Sequence, residues 1–202
     1  MSPLSASPMG LTPPPFSHSR SLYACAPLPA LTGMPGHIHD ALSGRGRHML
    51  AFDVSYDPAY TGLSPRVLAE PATTPSLPCV IITCDYFPGG APMAIYPSSS
   101  KPGALSYVTV ADVLNGIYRG LRRQLRKEEL DTMPVSQPYM ASVHQAFYSR
   151  CRRLARTVDP AAADSEARKG IRLIDLLLGK HTFCGLLPTK ENPDVWQLAV
   201  SS

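Results

Sequence analysis

The chain has 202 residues, a length for one domain or one domain with a tail,. Hydrophobic residues make up 44% and charged residues only 17%, which excludes a highly charged chain with no core,. Net charge is +4 from 19 basic and 15 acidic side chains, short of the strong excess expected of a nucleic-acid binder this size,.

The 22 Pro are about twice the usual share,. Eight of them fall in residues 1–36, among Ser and other small residues. Pro13-Pro14-Pro15 before Phe16 reads as polyproline II, which forms no ladders. The composition predicts a disordered leader over 1–36, or a short docking peptide within it, followed by a single domain over 37–202. The N-terminus lacks the basic and apolar regions of a signal peptide. With no run of about 18 apolar residues anywhere, no membrane partner is expected, and the cytoplasm or nucleus is the expected location.

Phe52, Val54 and Tyr56 alternate with Asp53 and Ser55, predicting a half-buried strand over 49–56 with Asp53 facing solvent. Residues 57–78 read as loop. Cys79 to Tyr86 is rich in β-branched residues and predicts a strand. Phe87-Pro88-Gly89-Gly90 turns it into a second short strand at Met93 to Tyr96. Thr109 and Asp112 form a capping-box-like start. Val110, Val113, Leu114, Ile117, Tyr118 and Leu121 then make one apolar stripe. Arg119, Arg122, Arg123, Arg126 and Lys127 collect on the opposite face, a solvated surface or one suited to an acidic protein partner. A further helix is expected over about 138–156, buried through Tyr139, Val143, Ala146 and Phe147. Arg150, Arg152, Arg153 and Arg156 stand at its C-terminal end, where the helix dipole favours cations. Residues 157–169 read as loop, and 171–178 fit either a strand or a helical turn. Strands over 183–187 and 195–200 close the chain. The expected fold is α+β, a small antiparallel sheet packed against two to three helices.

No phosphate loop, dinucleotide fingerprint or hydrolase elbow occurs, and Gly44-Arg45-Gly46-Arg47 lacks the strand-to-helix context a phosphate cradle needs. The five Cys have no metal-ligand spacing and are expected as reduced thiols, so neither metal nor cofactor is assigned,. Asp112 is assigned to a helix N-terminus. Asp175, inside an apolar nonamer, is expected to be buried and paired with Arg172. Trp196 is the only Trp and is expected to cover the open end of the core,.

Several pieces together are similar to a known pattern. They are Ile38-His39-Asp40-Ala41-Leu42, the Phe52-Asp53 strand, Tyr107 to Leu114, Lys169 to Leu177, Phe183-Cys184-Gly185-Leu186 and Trp196-Gln197-Leu198. In order and spacing they resemble the DUF6699 family, uncharacterised proteins of mushroom-forming fungi, over about residues 37–200. The chain departs from that pattern at His39-Asp40, where the family often has His-Pro, and at Pro92-Met93, where it often has Pro-Trp. The resemblance implies a domain and a fold but no activity.

Within that frame Asp53, Asp112, Arg172, Asp175, Phe183, Gly185 and Trp196 are assigned structural roles, and no catalytic residue is assigned. The leading expectation is a non-enzymatic interaction or scaffold domain using Arg119, Arg122, Arg123, Arg126 and Lys127. One alternative is an enzyme whose pocket joins Asp175, Arg172 and His181, with His39 as a further candidate. The other is a nucleic-acid accessory protein using the basic helices, although Tyr118 alone offers no stacking platform.

Overall fold

The computed structural model describes residues 36–45, 50, 52–88, 92–98, 107–157, 160–189, 192 and 194–202. The leader expected over 1–36 lies outside the described residues except for Gly36, as do Gly46-Arg47 and the Gly89-Gly90 turn.

The first elements are short and locally capped. β1 (His37–Ile38) leads into α1 (Asp40–Ser43), and a 3-10 turn (Pro58–Thr61) and α2 (Pro65–Leu68) precede β2 (Thr73–Thr74), which pairs antiparallel with β1. The His39 ring accepts from the N–H of Ala41, and Asp57 and Ser64 cap the next two pieces in the same way. Nothing in the apolar pattern announces these single turns; side chains that bond the nearest free N–H make them.

The main sheet is built from two hairpins. β3 (Val80–Thr83), all β-branched, pairs antiparallel with β4 (Met93–Ile95). The chain then runs through α3 (Val110–Leu121), α4 (Lys127–Thr132), α5 (Gln137–Thr157), α6 (Pro160–Arg168) and a second 3-10 helix (Leu173–Leu177). It returns as β5 (Thr182–Pro188) and β6 (Val195–Ser201), an antiparallel pair. The strand order is β4-β3-β6-β5, and β3 meets β6 in parallel, with Ile82 opposite Trp196. The sheet is therefore mixed, not antiparallel as expected. A long helical crossover lets the second hairpin come back in the direction of the first, which a tight turn cannot do.

Three further expectations are corrected. Six α-helices stand among the described residues where two to three were expected. The segment read as loop at 157–169 contains α6, which starts on Pro160 and continues through three Ala, all compatible with a helix,. Among the described residues of the strand expected over 49–56, one bridge stands, Asp53 to Thr182. Val54 N–H still donates to His181 and Phe183 N–H to Phe52, both at 2.8 Å. The Asp53 carboxylate then accepts the N–H of Ser55 at 2.7 Å and folds the chain away into a turn,.

The core joins these layers. Val80, Ile82, Leu114, Ile117, Leu121, Ile174, Leu176, Trp196 and Leu198 are all buried. Each such aliphatic side chain contributes about 1.5–3 kcal/mol by leaving water. Gly116 brings α3 so close to β4 that an added Cβ would lie 2.7 Å from the Ile95 side chain. A tighter approach joins α1 to β5. Gly44 (φ 62°) caps α1, and Gly185 (φ 118°) sits at an irregularity in β5. A Cβ on Gly185 would lie 2.5 Å from Gly44 N, and one on Gly44 would overlap the Cys184 carbonyl. Both positions need glycine twice over, for conformation and for space.

Candidate functional site: the arginine helix and its buried ion cluster

α5 is a 21-residue helix. Among its described side chains Val143 and Arg150 are buried, with Tyr139, Ala146, Phe147 and Leu154 half-buried on the same side. Arg150 was expected among cations at the helix end, yet it lies on the inward stripe with 8% exposure. Its guanidinium makes a two-pronged contact with Asp175, Nε to Oδ1 and Nη2 to Oδ2, each 2.8 Å. Nη2 also reaches the carbonyl of Gly170 at 3.2 Å, and Nη1 pairs with Glu166 of α6. Burial works against the charged guanidinium, but the hydrogen bonds and charges of Asp175 and Glu166 prevail and hold Arg150 above its ordinary pKa,.

The expected Asp175–Arg172 ion pair is corrected. Arg172 meets Asp175 only through its backbone N–H, at 2.9 Å, as the start of the 3-10 helix. Its guanidinium turns to Glu166, at 2.7 and 3.0 Å, and Lys169 adds a longer contact at 3.5 Å. Burial lowers the Arg172 pKa despite the charge of Glu166. Both oxygens of Asp175 are thus engaged by Arg150 and the Arg172 backbone. The cluster is an interior clamp between α5, α6 and the 3-10 helix. Arg150 and Glu166 escaped the sequence reading. The signal for Arg150 was available, since it continues the helical spacing of Val143, Phe147 and Leu154. Glu166 carried no comparable signal.

A cleft of about 580 Å³ opens beside this clamp. Gln145, Ser149 and Arg153 of α5 form one wall, Asp175 is in the floor, and Leu178 and His181 form the other wall. Asp175 and His181 therefore share a cleft, as the enzyme alternative required, but Arg172 is not in its lining. His181 is half-buried, and burial holds its imidazole below the usual histidine range, with the Asp53 charge opposing. His39 is elsewhere: its Nε2 donates to Glu70 at 2.8 Å. Arg152 and Arg156 are exposed and line a second depression of about 430 Å³ together with Ser149 and Arg153.

The second basic region is less continuous than the spacing suggested. α3 stops at Leu121, and Leu125 N–H donates to Ile171 while Leu173 N–H donates to Arg123. The backbone of 123–125 pairs with 171–173 instead of continuing the helix, so Arg122 and Arg126 do not share a helical face. Arg122 donates to the Ser55 carbonyl at 3.2 and 3.3 Å and lies 3.9 Å over the Tyr118 ring. Arg123 pairs with Glu129 at 2.8 Å. Arg119, Arg126 and Lys127 are exposed.

The remaining assigned residues are placed as follows. Asp112 accepts from Thr109 N and Oγ1 and from Ser98 N and Oγ. Burial pushes its carboxyl up, but those hydrogen bonds outweigh it and hold the pKa below the ordinary value. Phe183 packs against Phe52, ring centroids 6.3 Å apart. Trp196 is 2% exposed, and its indole N–H is buried without a hydrogen-bond partner. Burial pushes the Cys84 thiol up to about 11. Among the described residues no group of three or more His, Cys, Asp or Glu is placed to hold a metal ion, and no helix is long and apolar enough to cross a membrane.

Residues 50–195 match a family of unknown function, DUF6699. Neither a curated protein nor a solved structure matches the chain significantly.

Proposed function

The chain belongs to the DUF6699 family, a family of unknown function, and we propose that it is a non-catalytic interaction domain that binds an acidic partner protein. The observation that carries this reading is how the ionisable groups are divided. Asp175, Glu166, Arg150 and Arg172 neutralise one another inside the fold, and Asp112 is tied to a helix start. Exposed positive charge stands on Arg152 and Arg156 of α5, and on Arg119, Arg126 and Lys127 across the end of α3. A surface of this kind steers an acidic partner and selects it by charge. The acid–base pair an enzyme would need is reduced to His181 beside an Asp175 whose two oxygens already accept three hydrogen bonds from Arg150 and the Arg172 N–H, which ties that carboxylate to a structural role,.

The test is binding of a fluorescein-labelled deca-glutamate peptide to the full chain, measured by anisotropy at increasing salt. Affinity is expected to fall steadily with ionic strength and to weaken when Arg152 and Arg156 are both changed to Gln. Binding insensitive to salt, or no binding by folded wild type, overturns the reading.

A further inference from the structure

The indole N–H of Trp196 is a buried donor with no acceptor. Buried polar groups in folded chains are nearly always paired, so one left without a partner calls for a reason. The register defines its surroundings. Trp196 stands opposite Pro188 of β5, and Leu198 opposite Leu186, so these four side chains share one face of the sheet,. A hollow of about 330 Å³ opens where that face ends. Leu186, Pro188 and Trp196 form one wall, and β1 forms the other together with Asp40 and Arg45. A ligand oxygen seated there comes within reach of the N–H that the fold leaves unpaired.

The rest of the hollow narrows the ligand. Among the described residues β1 pairs with β2 alone. His39 N–H donates to the Ala72 carbonyl at 2.8 Å, on the β2 side. Strand alternation then turns the N–H and C=O of Ile38 away from β2, to the outer edge of β1. Ile38 lines the hollow. An open strand edge beside an apolar hollow is the arrangement to which an extended peptide adds as a further strand. The formal charges at the rim, on exposed Asp40 and Arg45, are of opposite sign, so they select no net charge in the ligand. The volume is at the lower end of ligand sites and suits one apolar side chain with its flanking amides rather than a large cofactor,.

Independently of the acidic-partner reading above, we infer that this hollow is a binding site for a neutral, extended apolar peptide segment of a partner protein. The segment lies along the outer edge of β1 and exchanges backbone hydrogen bonds with Ile38. One apolar side chain packs on Leu186 and Pro188, and a backbone carbonyl accepts the Trp196 N–H.

Trp196 is the only Trp, so the isotopically labelled full chain has a single indole N–H resonance, and that resonance reports this hollow. The probe is a capped, fluorescein-labelled pentapeptide of alternating Val and Thr. Titration is expected to move the indole proton downfield in a saturable way, and the affinity read by anisotropy is expected to stay nearly constant as salt is raised. Trp196→Phe keeps an aromatic ring but no N–H and is expected to weaken binding about tenfold, with circular dichroism confirming the fold. Because a change at so buried a ring can cost the fold, the ligand is altered as well. The same peptide N-methylated along one edge cannot pair with β1 and is expected to bind wild type about tenfold more weakly or worse. Arg45→Gln is expected to leave the affinity unchanged. An indole resonance that stays in place as peptide is added overturns the site. Affinity that falls steeply with salt overturns the neutral ligand. Equal affinity for the N-methylated peptide, or for N-acetyl-valine amide alone, overturns the added strand.

Discussion

Two arginine-rich regions of this molecule look alike on paper and end differently. Around Arg150 the charges go inward: a guanidinium with 8% exposure holds Asp175 and Glu166 together and fastens two helices and a 3-10 turn. Around Arg119 to Lys127 they lie nearer the surface, where Arg123 pairs with Glu129 and Arg122 rests against Ser55 and Tyr118. Residue type does not separate the two. Phase relative to the apolar stripe does, since a charge in line with core residues has to find partners, whereas one on the opposite face has water.

The sharpest way to break this contrast is Arg150→Ala. It leaves Asp175 buried without its cation and Glu166 with only Arg172 and Lys169, and is expected to cost about 3–5 kcal/mol in urea unfolding,. A loss below about 1 kcal/mol would place the clamp with the exposed pairs. Asp175→Asn keeps the shape and the acceptor for the Arg172 N–H but removes the charge, and about 1–3 kcal/mol is expected. Arg122→Gln tests the intermediate case, a guanidinium that is stacked and bonded yet partly open; about 1 kcal/mol is expected from thermal melts. Arg119→Ser/Arg126→Ser/Lys127→Ser is expected to leave the midpoint nearly unchanged, within about 0.5 kcal/mol, because exposed charges contribute little.

The same contrast appears in pH. The folded state holds His181 below its ordinary pKa, so the unfolded chain takes up the proton first as pH falls. Stability is expected to decline as pH drops below the unfolded value of about 6.5, and to level off for this group once the folded pKa is passed. Asp112, held low when folded, contributes stability above its unfolded pKa, and loses it as pH falls through the folded one,. His181→Gln is expected to flatten the first decline while leaving the second. Unfolding curves at pH 7.5, 6, 4.5 and 2.5 give the comparison, and an unchanged first slope would count against a buried neutral imidazole.

Much of the framework was legible in the residues. The apolar stripe from Val110 to Leu121 led to α3, and the β-branched run at Val80–Thr83 led to β3. The Asp53 strand was misread because period-2 alternation does not reveal that an aspartate will bond the N–H two residues on. The basic face was overextended because helical spacing was carried past Leu121, where the backbone of 123–125 leaves the helix to pair with 171–173. The loop expected at 157–169 contains a helix anchored by Glu166, and the partner that anchors it is 16 positions away.

The sequence by itself determined the α+β class, the start of α3 and the burial of a carboxylate in the run Leu173–Leu177, because these rest on periodicity and on neighbours within one or two turns. Tertiary structure alone decided that Arg150 rather than Arg172 takes Asp175, that β3 and β6 run parallel, and that Gly44 and Gly185 touch backbone to backbone. Each of these joins residues far apart along the chain. Local propensity contains no information about such pairs; only packing, which demands a partner for every buried charge and space for every Cβ, selects them.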